Sequence, residues 1–228
     1  MAMREIVFDT ETTGLDPAAG DRMVEIGCIE IVNRVPTGAV FHAYFNPQRD
    51  MPAGAQAVHG LSAQFLADKP LFADLADELL AFLRDSPLVA HNAGFDFGFL
   101  NAELARSGHQ PVCESRMVDT VQIARRRHPG AKLSLDALCS RYGIDRSHRV
   151  QHGALLDAEL LAQVYVELTG GRQIGLELAS VEPSDAASLQ PAAPSRRVRP
   201  PRPHAATAEE LARHRAFVET LSNPLWLA

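Results

Sequence analysis

The hydrophobic period of this chain first changes about a third of the way along, and that change limits the folds open to it. Up to residue 45 the apolar residues follow strand-like patterns. Arg4–Asp9 is a short β-rich run, Val24, Ile26 and Cys28 alternate with Glu25, Gly27 and Ile29, and Ala39–Phe45 forms a third such segment. A period of two belongs to a strand with unlike faces. From residue 72 the period becomes that of a helix, with Phe72, Leu75, Ala76, Leu79, Leu80 and Leu83 on one stripe of Phe72–Arg84. Pro87–Ala90 then predicts a short buried strand, Phe95–Ser107 a helix stopped by Gly108, and Met117–Asp119 a strand leading into a helix from about Thr120. Ser134 predicts the N-cap of a helix ending at Tyr142 before Gly143, and a last helix runs from about Gly153 to Leu168 before Gly170-Gly171. Three closely joined strands make a meander. The expected fold class is α/β: a mixed central sheet flanked by helices.

Polar residues break this pattern in three places. Asp9-Thr10-Glu11 ends the first strand before a Thr-Thr-Gly turn, and residues two apart on a strand share a face, so both carboxylates project together. Alone, the pair reads equally as a solvated strand end. His91-Asn92-Ala93-Gly94-Phe95-Asp96 follows the apolar strand Leu88–Ala90 and puts Asp96 in the first turn of a helix, where the dipole favours a carboxylate with or without a function. It also lies at the carboxyl end of a strand, where α/β sheets build their sites. His152-Gly-Ala-Leu-Leu-Asp157 opens the last helix, with Asp157 in mid-helix beside the apolar face of Leu155, Leu156, Leu160, Leu161 and Val164. Singly, Asp157 fits a salt bridge and His152 a cap. Together, four carboxylates carry about −4, which balances two divalent cations in a site that activates water and stabilises a leaving oxygen. Oxygen ligands without cysteine select hard ions, Mg²⁺ or Mn²⁺. A histidine, with an ordinary pKa near 6.5, then remains for general-base work.

The formal net charge of −6 argues against strong unaided binding to nucleic acid, whose affinity rests on Lys and Arg at phosphates. A metal-binding site must concentrate carboxylates, so the acidity does not exclude such a substrate. Cys28, Cys113 and Cys139 are widely spaced and form no CxxC pair, which excludes a disulfide framework and a zinc cluster and suits a reducing cytoplasm. No apolar run approaches 18 residues, so no membrane partner is expected.

Asp9-Thr-Glu11-Thr-Thr-Gly, Asn92-x-x-x-Asp96 with Phe95, and His152-x-x-x-x-Asp157 resemble, in order and spacing, the three motifs of the DEDDh 3′→5′ exonuclease superfamily over about residues 4–170. The resemblance implies a ribonuclease H-like fold and two divalent cations held by Asp9, Glu11, Asp96 and Asp157. It implies His152 as the base that deprotonates the attacking water. Ala57-Val58-His59-Gly60-Leu61 looks like the superfamily's substrate loop, so that His59, with Asp9, Glu11, Thr12, Asn92 and Asp157, is expected to contact the terminal nucleotide. As a plain reading of its neighbours, His59 is also simply a residue of a Gly-containing turn.

These motifs do not separate DNA from RNA trimming. The remainder of the chain bears on it. Val181–Ala206 holds six prolines and Arg196, Arg197, Arg199 and Arg202 with almost no large apolar residue, and reads as a linker. Thr207-Ala-Glu-Glu210 is a capping-box signature ahead of the stripe Leu211, Phe217, Val218 and Leu221, and the chain closes on Leu225, Trp226 and two further residues. A catalytic domain (1–172), a Pro/Ala/Arg linker (173–206) and a short terminal segment (207–228) resemble the epsilon subunits of bacterial DNA polymerase III. In that family the tail tethers a proofreading exonuclease to the alpha subunit, which raises its effective concentration at a frayed or single-stranded DNA 3′ end. Gln173-Ile-Gly-Leu176-Glu-Leu178 resembles a peptide that docks on the sliding clamp. Two other readings stay open: an RNA-trimming exoribonuclease of the same superfamily, and a catalytically silent scaffold linking polymerase to clamp.

Overall fold

Nine residues, Arg4–Thr12, form β1, which runs without interruption through both acidic positions. It pairs antiparallel with β2 (Met23–Val32), which pairs antiparallel with β3 (Val35–Tyr44). After α1 (Ala53–His59), α2 (Ala63–Leu66) and α3 (Phe72–Leu83) come β4 (Leu88–Ala90), α4 (Gly94–Arg106) and β5 (Met117–Asp119). Both late strands are parallel to β1, giving a five-stranded sheet of order β3-β2-β1-β4-β5. Then follow α5 (Thr120–Arg127), α6 (Leu135–Tyr142), α7 (Ala154–Leu168) and α8 (Ala208–Val218). The computed structural model describes residues 3–147, 151–171 and 205–222. The chain divides into two units, Met1–Glu177 and Leu178–Ala228.

The alternation in β1 sends its side chains into two different cores. Ile6 and Phe8 join Phe97, Phe99, Leu100 and Leu104 of α4 and the inner stripe of α3. Val7 points the other way, against Ala158, Leu161, Ala162 and Tyr165 of α7. A second stripe of α7, Leu160, Val164 and Leu168, packs on Ala124 of α5 and Leu138 and Cys139 of α6. α7 is thus buried on two sides, which is why its apolar residues exceed one narrow face.

β1 carries Asp9 and Glu11, as the alternation implies, and continues one residue further to Thr12. Asp and Glu are poor strand residues, but here the backbone of β1 is held in register by β2, with Asp9 opposite Gly27 and Glu11 opposite Glu25. A register shift between Glu11 and Thr12 ends the pairing. β3 also begins earlier than Ala39, at Val35. The second unit holds α8, whose N-cap Thr207 and Glu210 form the expected capping box. Leu211, Phe217 and Leu221 are exposed and Val218 is buried. Among the described residues no helix is long and apolar enough to cross a membrane.

Candidate active site

All four carboxylates reach one cleft at the C-terminal end of β1 and β4. Its walls carry Asp9, Thr10, Glu11, His91, Asn92, Phe95, Asp96, Ser134, Leu135, His152 and Asp157 around about 280 Å³. β1 supplies Asp9 and Glu11 on the face that packs toward α7. α4 supplies Asp96 and α7 supplies Asp157, each from its first turn. Asp157 therefore stands where the helix dipole supports a negative charge, and the expectation of a mid-helix position is corrected: Gly153 is the N-cap, so the helix starts only at Ala154.

Burial is severe for acidic groups. Glu11, Asp96 and Asp157 are 8%, 3% and 3% exposed. No Lys or Arg lines the cleft among the described residues. Oxygen atoms of Glu11 and Asp157 and a ring nitrogen of His152 all lie within 4.8 Å of one another. His152, half exposed, also approaches Asp157 through Nδ1 at 3.1 Å from Oδ2. Buried charges of one sign without a counter-charge are costly, so this donor set fits divalent cations. Hard oxygen donors dominate it, with a single imidazole at the edge.

Burial pushes the Asp96 carboxyl up to about 7, against the hydrogen bond from Thr10 Oγ1 to Asp96 Oδ1 (2.8 Å), with Asp119 adding repulsion. Desolvation outweighs both that hydrogen bond and the helix dipole. Asp119 has a further task. Its Oδ1 accepts from the Asn92 N–H (3.2 Å) and the Val121 N–H (2.9 Å), tying the β4–α4 turn to the start of α5. Asn92 adopts φ +64°, a left-handed conformation that asparagine tolerates better than most residues.

A second hollow of about 460 Å³ adjoins the first. Thr10–Leu15, Pro52, Gly54, Ala55, Val58, His59 and Phe95 line it, so it is mostly apolar. His59 was expected in a turn but ends α1. That helix has seven residues, too few to show a stripe, and is closed by Gly60 at φ +76°. The buried His59 ring accepts the Leu61 N–H at Nδ1 (3.1 Å), which puts its proton on Nε2. Nε2 lies near the Thr12 backbone without a hydrogen bond of good geometry among the described residues. Burial, the larger influence, holds the His59 pKa below its ordinary value. The His152 N–H donates to the Val58 carbonyl (3.3 Å), so α1 and the loop carrying His152 are in contact.

Two fixtures hold these walls. Arg22 grips the buried Glu103 of α4 with Nε–Oε1 at 2.7 Å and Nη2–Oε2 at 2.8 Å, anchoring the loop that follows β1. Gly27, opposite Asp9, lets α7 approach the sheet. A Cβ there would stand 2.4 Å from the Leu155 N and Cα.

Sequence reasoning thus located Asp9, Glu11, Thr12, His59, Asn92, Asp96, His152 and Asp157, and the structure brings them to the two adjoining hollows. It did not find Thr10, Asp119 or Gly27. Gly27 left a signal as an isolated glycine inside a strand pattern, and Asp119 left one as an N-cap residue ahead of the helix from Thr120. Gln173, Leu176, Leu178, Leu225 and Trp226 lie outside the described residues.

The profile of a family described as exonuclease (RNase_T) matches residues 6–165. DNA polymerase III subunit epsilon of Rickettsia felis is 48% identical over 96% of this chain and 97% of its own length. The subunit of the same name from Escherichia coli K12 is 47% identical over 74% of this chain and 72% of its own. Among solved structures, exonuclease X in complex with 5′ overhanging duplex DNA aligns at 26% identity with TM-score 0.56, covering 73% of this chain and 90% of that one. Exonuclease I, at 19% identity and TM-score 0.64, shares the fold over 73% of this chain and 40% of its own.

Proposed function

The chain belongs to the exonuclease family and, within it, to the DNA polymerase III epsilon subunits, and from that premise we propose how its cleft removes nucleotides from a DNA 3′ end. It is a metal-dependent proofreading exonuclease of the polymerase III complex. One observation carries the reading of the cleft: four carboxylates, three of them buried, share one wall set without a Lys or Arg among the described residues. Asp9, Glu11, Asp96 and Asp157 hold two divalent cations, Mg²⁺ or Mn²⁺. When bound, such ions lower the pKa of water and neutralise charge on the phosphodiester.

The protein's own groups do the rest. His152 takes the proton of the attacking water. The water oxygen bonds to the terminal phosphorus while the bond to the 3′ oxygen of the preceding nucleotide breaks; that oxygen takes a proton from solvent to become a new 3′-hydroxyl, and His152 returns the proton it accepted to solvent. The product is a 5′-mononucleotide. The Asp157 carboxylate beside His152 Nδ1 orients the ring, so that the other nitrogen meets the water. The apolar hollow takes the terminal nucleoside, since its volume lies in the range of small-molecule sites. Thr12, His59 and Asn92 contact that nucleotide, His59 through its Nε2 proton. A mismatched end is cheaper to unpair and so is delivered more readily.

Residues 1–172 form the catalytic domain, 173–206 a linker and 207–228 the segment that binds the alpha subunit, with Leu225 and Trp226 as anchors. Gln173, Leu176 and Leu178 dock on the sliding clamp. The capping box and apolar residues of α8 support an ordered docking element. Turnover on DNA and RNA 3′ ends of matched sequence tests the substrate. DNA is expected to be preferred, and a clear preference for RNA would overturn the proofreading reading.

A further inference from the structure

The positive charge of this acidic chain is unevenly distributed. Between residues 120 and 147 stand six basic residues, Arg125, Arg126, Arg127, Lys132, Arg141 and Arg146, against Asp136 and Asp145, whereas the whole chain carries −6. All six are exposed. Two are engaged within the fold: Arg127 Nη1 donates to the Leu168 carbonyl (2.8 Å) and Arg146 pairs with Asp136 (2.9 Å). Arg125, Arg126, Lys132 and Arg141 make no ion pair among the described residues. The charges also converge. His128, whose Nε2 meets the Tyr142 hydroxyl at 2.7 Å, has its pKa lowered by desolvation and then by Arg141 and Arg127.

The place of this surface in the fold is as informative as its charge. α5 starts at the cleft, where Asp119 holds Asn92, and runs about 12 Å away from it at the rise of an α-helix. The chain then returns, and Ser134 and Leu135 form part of the cleft wall. Lys132 is two residues before that wall. The cationic strip therefore begins at the lip of a site whose own lining is anionic. A polyanionic strand with its last phosphodiester in that cleft needs neutralisation for the phosphates behind it, and those phosphates bind cations regardless of base sequence.

We propose that the exposed α5–α6 surface, with Arg125, Arg126, Lys132 and Arg141, is a phosphate track that holds the nucleic-acid strand upstream of the scissile nucleotide. The proposal rests on the exonuclease reading above. It gives an acidic protein a local means of holding its substrate without a basic active site.

The test compares the full-length protein with the triple variant Arg125→Gln, Arg126→Gln, Lys132→Gln on two substrates. One is a single-stranded oligodeoxynucleotide of a dozen nucleotides; the other is a dinucleotide, too short to leave the cleft. On the long strand KM is expected to rise about tenfold at moderate salt, with kcat retained. The slope of log affinity against log salt should fall by about two, since each phosphate contact on a single strand contributes roughly 0.7. Dinucleotide cleavage should be unchanged, and Arg125→Lys with Arg126→Lys should restore the long-strand KM. Equal KM and equal salt slope in the two proteins overturn the track. A wild-type protein that cleaves neither substrate overturns the exonuclease reading instead. In that case equal anisotropy-measured affinities of the two proteins for the labelled strand overturn the track separately.

Discussion

Asp96 is where two influences of opposite sign meet, and the outcome is measurable. The first turn of α4 and the Thr10 hydroxyl favour its charged form, yet burial prevails and lifts the carboxyl to about 7. A carboxyl raised above its ordinary value near 3.9 holds its proton longer in the folded than in the unfolded protein. The metal-free fold is accordingly most favoured below pH 4 by this group and loses that advantage as pH rises toward 7. In EDTA, Asp96→Asn should raise Tm by several degrees at pH 8 and leave it nearly unchanged at pH 4, while abolishing the Tm gain that Mn²⁺ gives the wild type. A fall in Tm at pH 8 would contradict the assignment. His152→Ala should lower kcat by roughly 10²–10⁴-fold with Mn²⁺ binding retained, as read by calorimetry and a pH–rate profile. An unaltered profile removes His152 as the base. At this scale the sequence was informative about position, because the candidate ligand residues fall in short motifs that the structure gathers in one cleft. Thr10 and Asp119 escaped it, since what defines them is a partner 86 or 27 residues away in the chain.

At the scale of elements, the position of the proposed ligand Asp157 depends on how closely α7 approaches β2. That approach is allowed by the missing side chain of Gly27, directly across from Asp9. Gly27→Ala sets a methyl group against the backbone of Leu155, so the start of α7 must move and carry Asp157 with it. Overpacking of this kind costs about 1–3 kcal/mol. The expected outcome is a kcat reduced about 10–100-fold in a protein that still unfolds cooperatively, because a misplacement of about 1 Å is enough for such a loss. Wild-type kcat would show that the helix is not held by this contact. The period change near residue 72 made the sheet and its long helices readable. The last residue of β1, Thr12, was not readable, because pairing with β2 rather than strand propensity carries the strand through its acidic positions. Nor was α1, whose single-faced run is too short to show a period.

For the whole molecule, the proposed function gives the exonuclease fold and the terminal segment separable duties. Deleting residues 207–228 should leave turnover on a free oligonucleotide within about twofold of wild type, while a pull-down of the polymerase alpha subunit falls to background. Undiminished capture would locate the docking surface outside residues 207–228. A proposed metal cleft is easier to place from sequence than a proposed tether, since it needs particular residue types at particular spacings whereas a tether needs only length and a few apolar anchors.

The central claim is that Asp9, Glu11, Asp96 and Asp157 form a metal site that hydrolyses a DNA 3′ end. Product analysis of an internally labelled strand tests it most directly, with wild type and Asp9→Ala compared in Mg²⁺ and in EDTA. The wild type is expected to release 5′-mononucleotides stepwise in Mg²⁺ only. In Asp9→Ala the rate should fall by roughly 10³-fold, the scale of several kcal/mol of lost charge stabilisation. Equal release with and without metal, or wild-type turnover in Asp9→Ala, would contradict the claim.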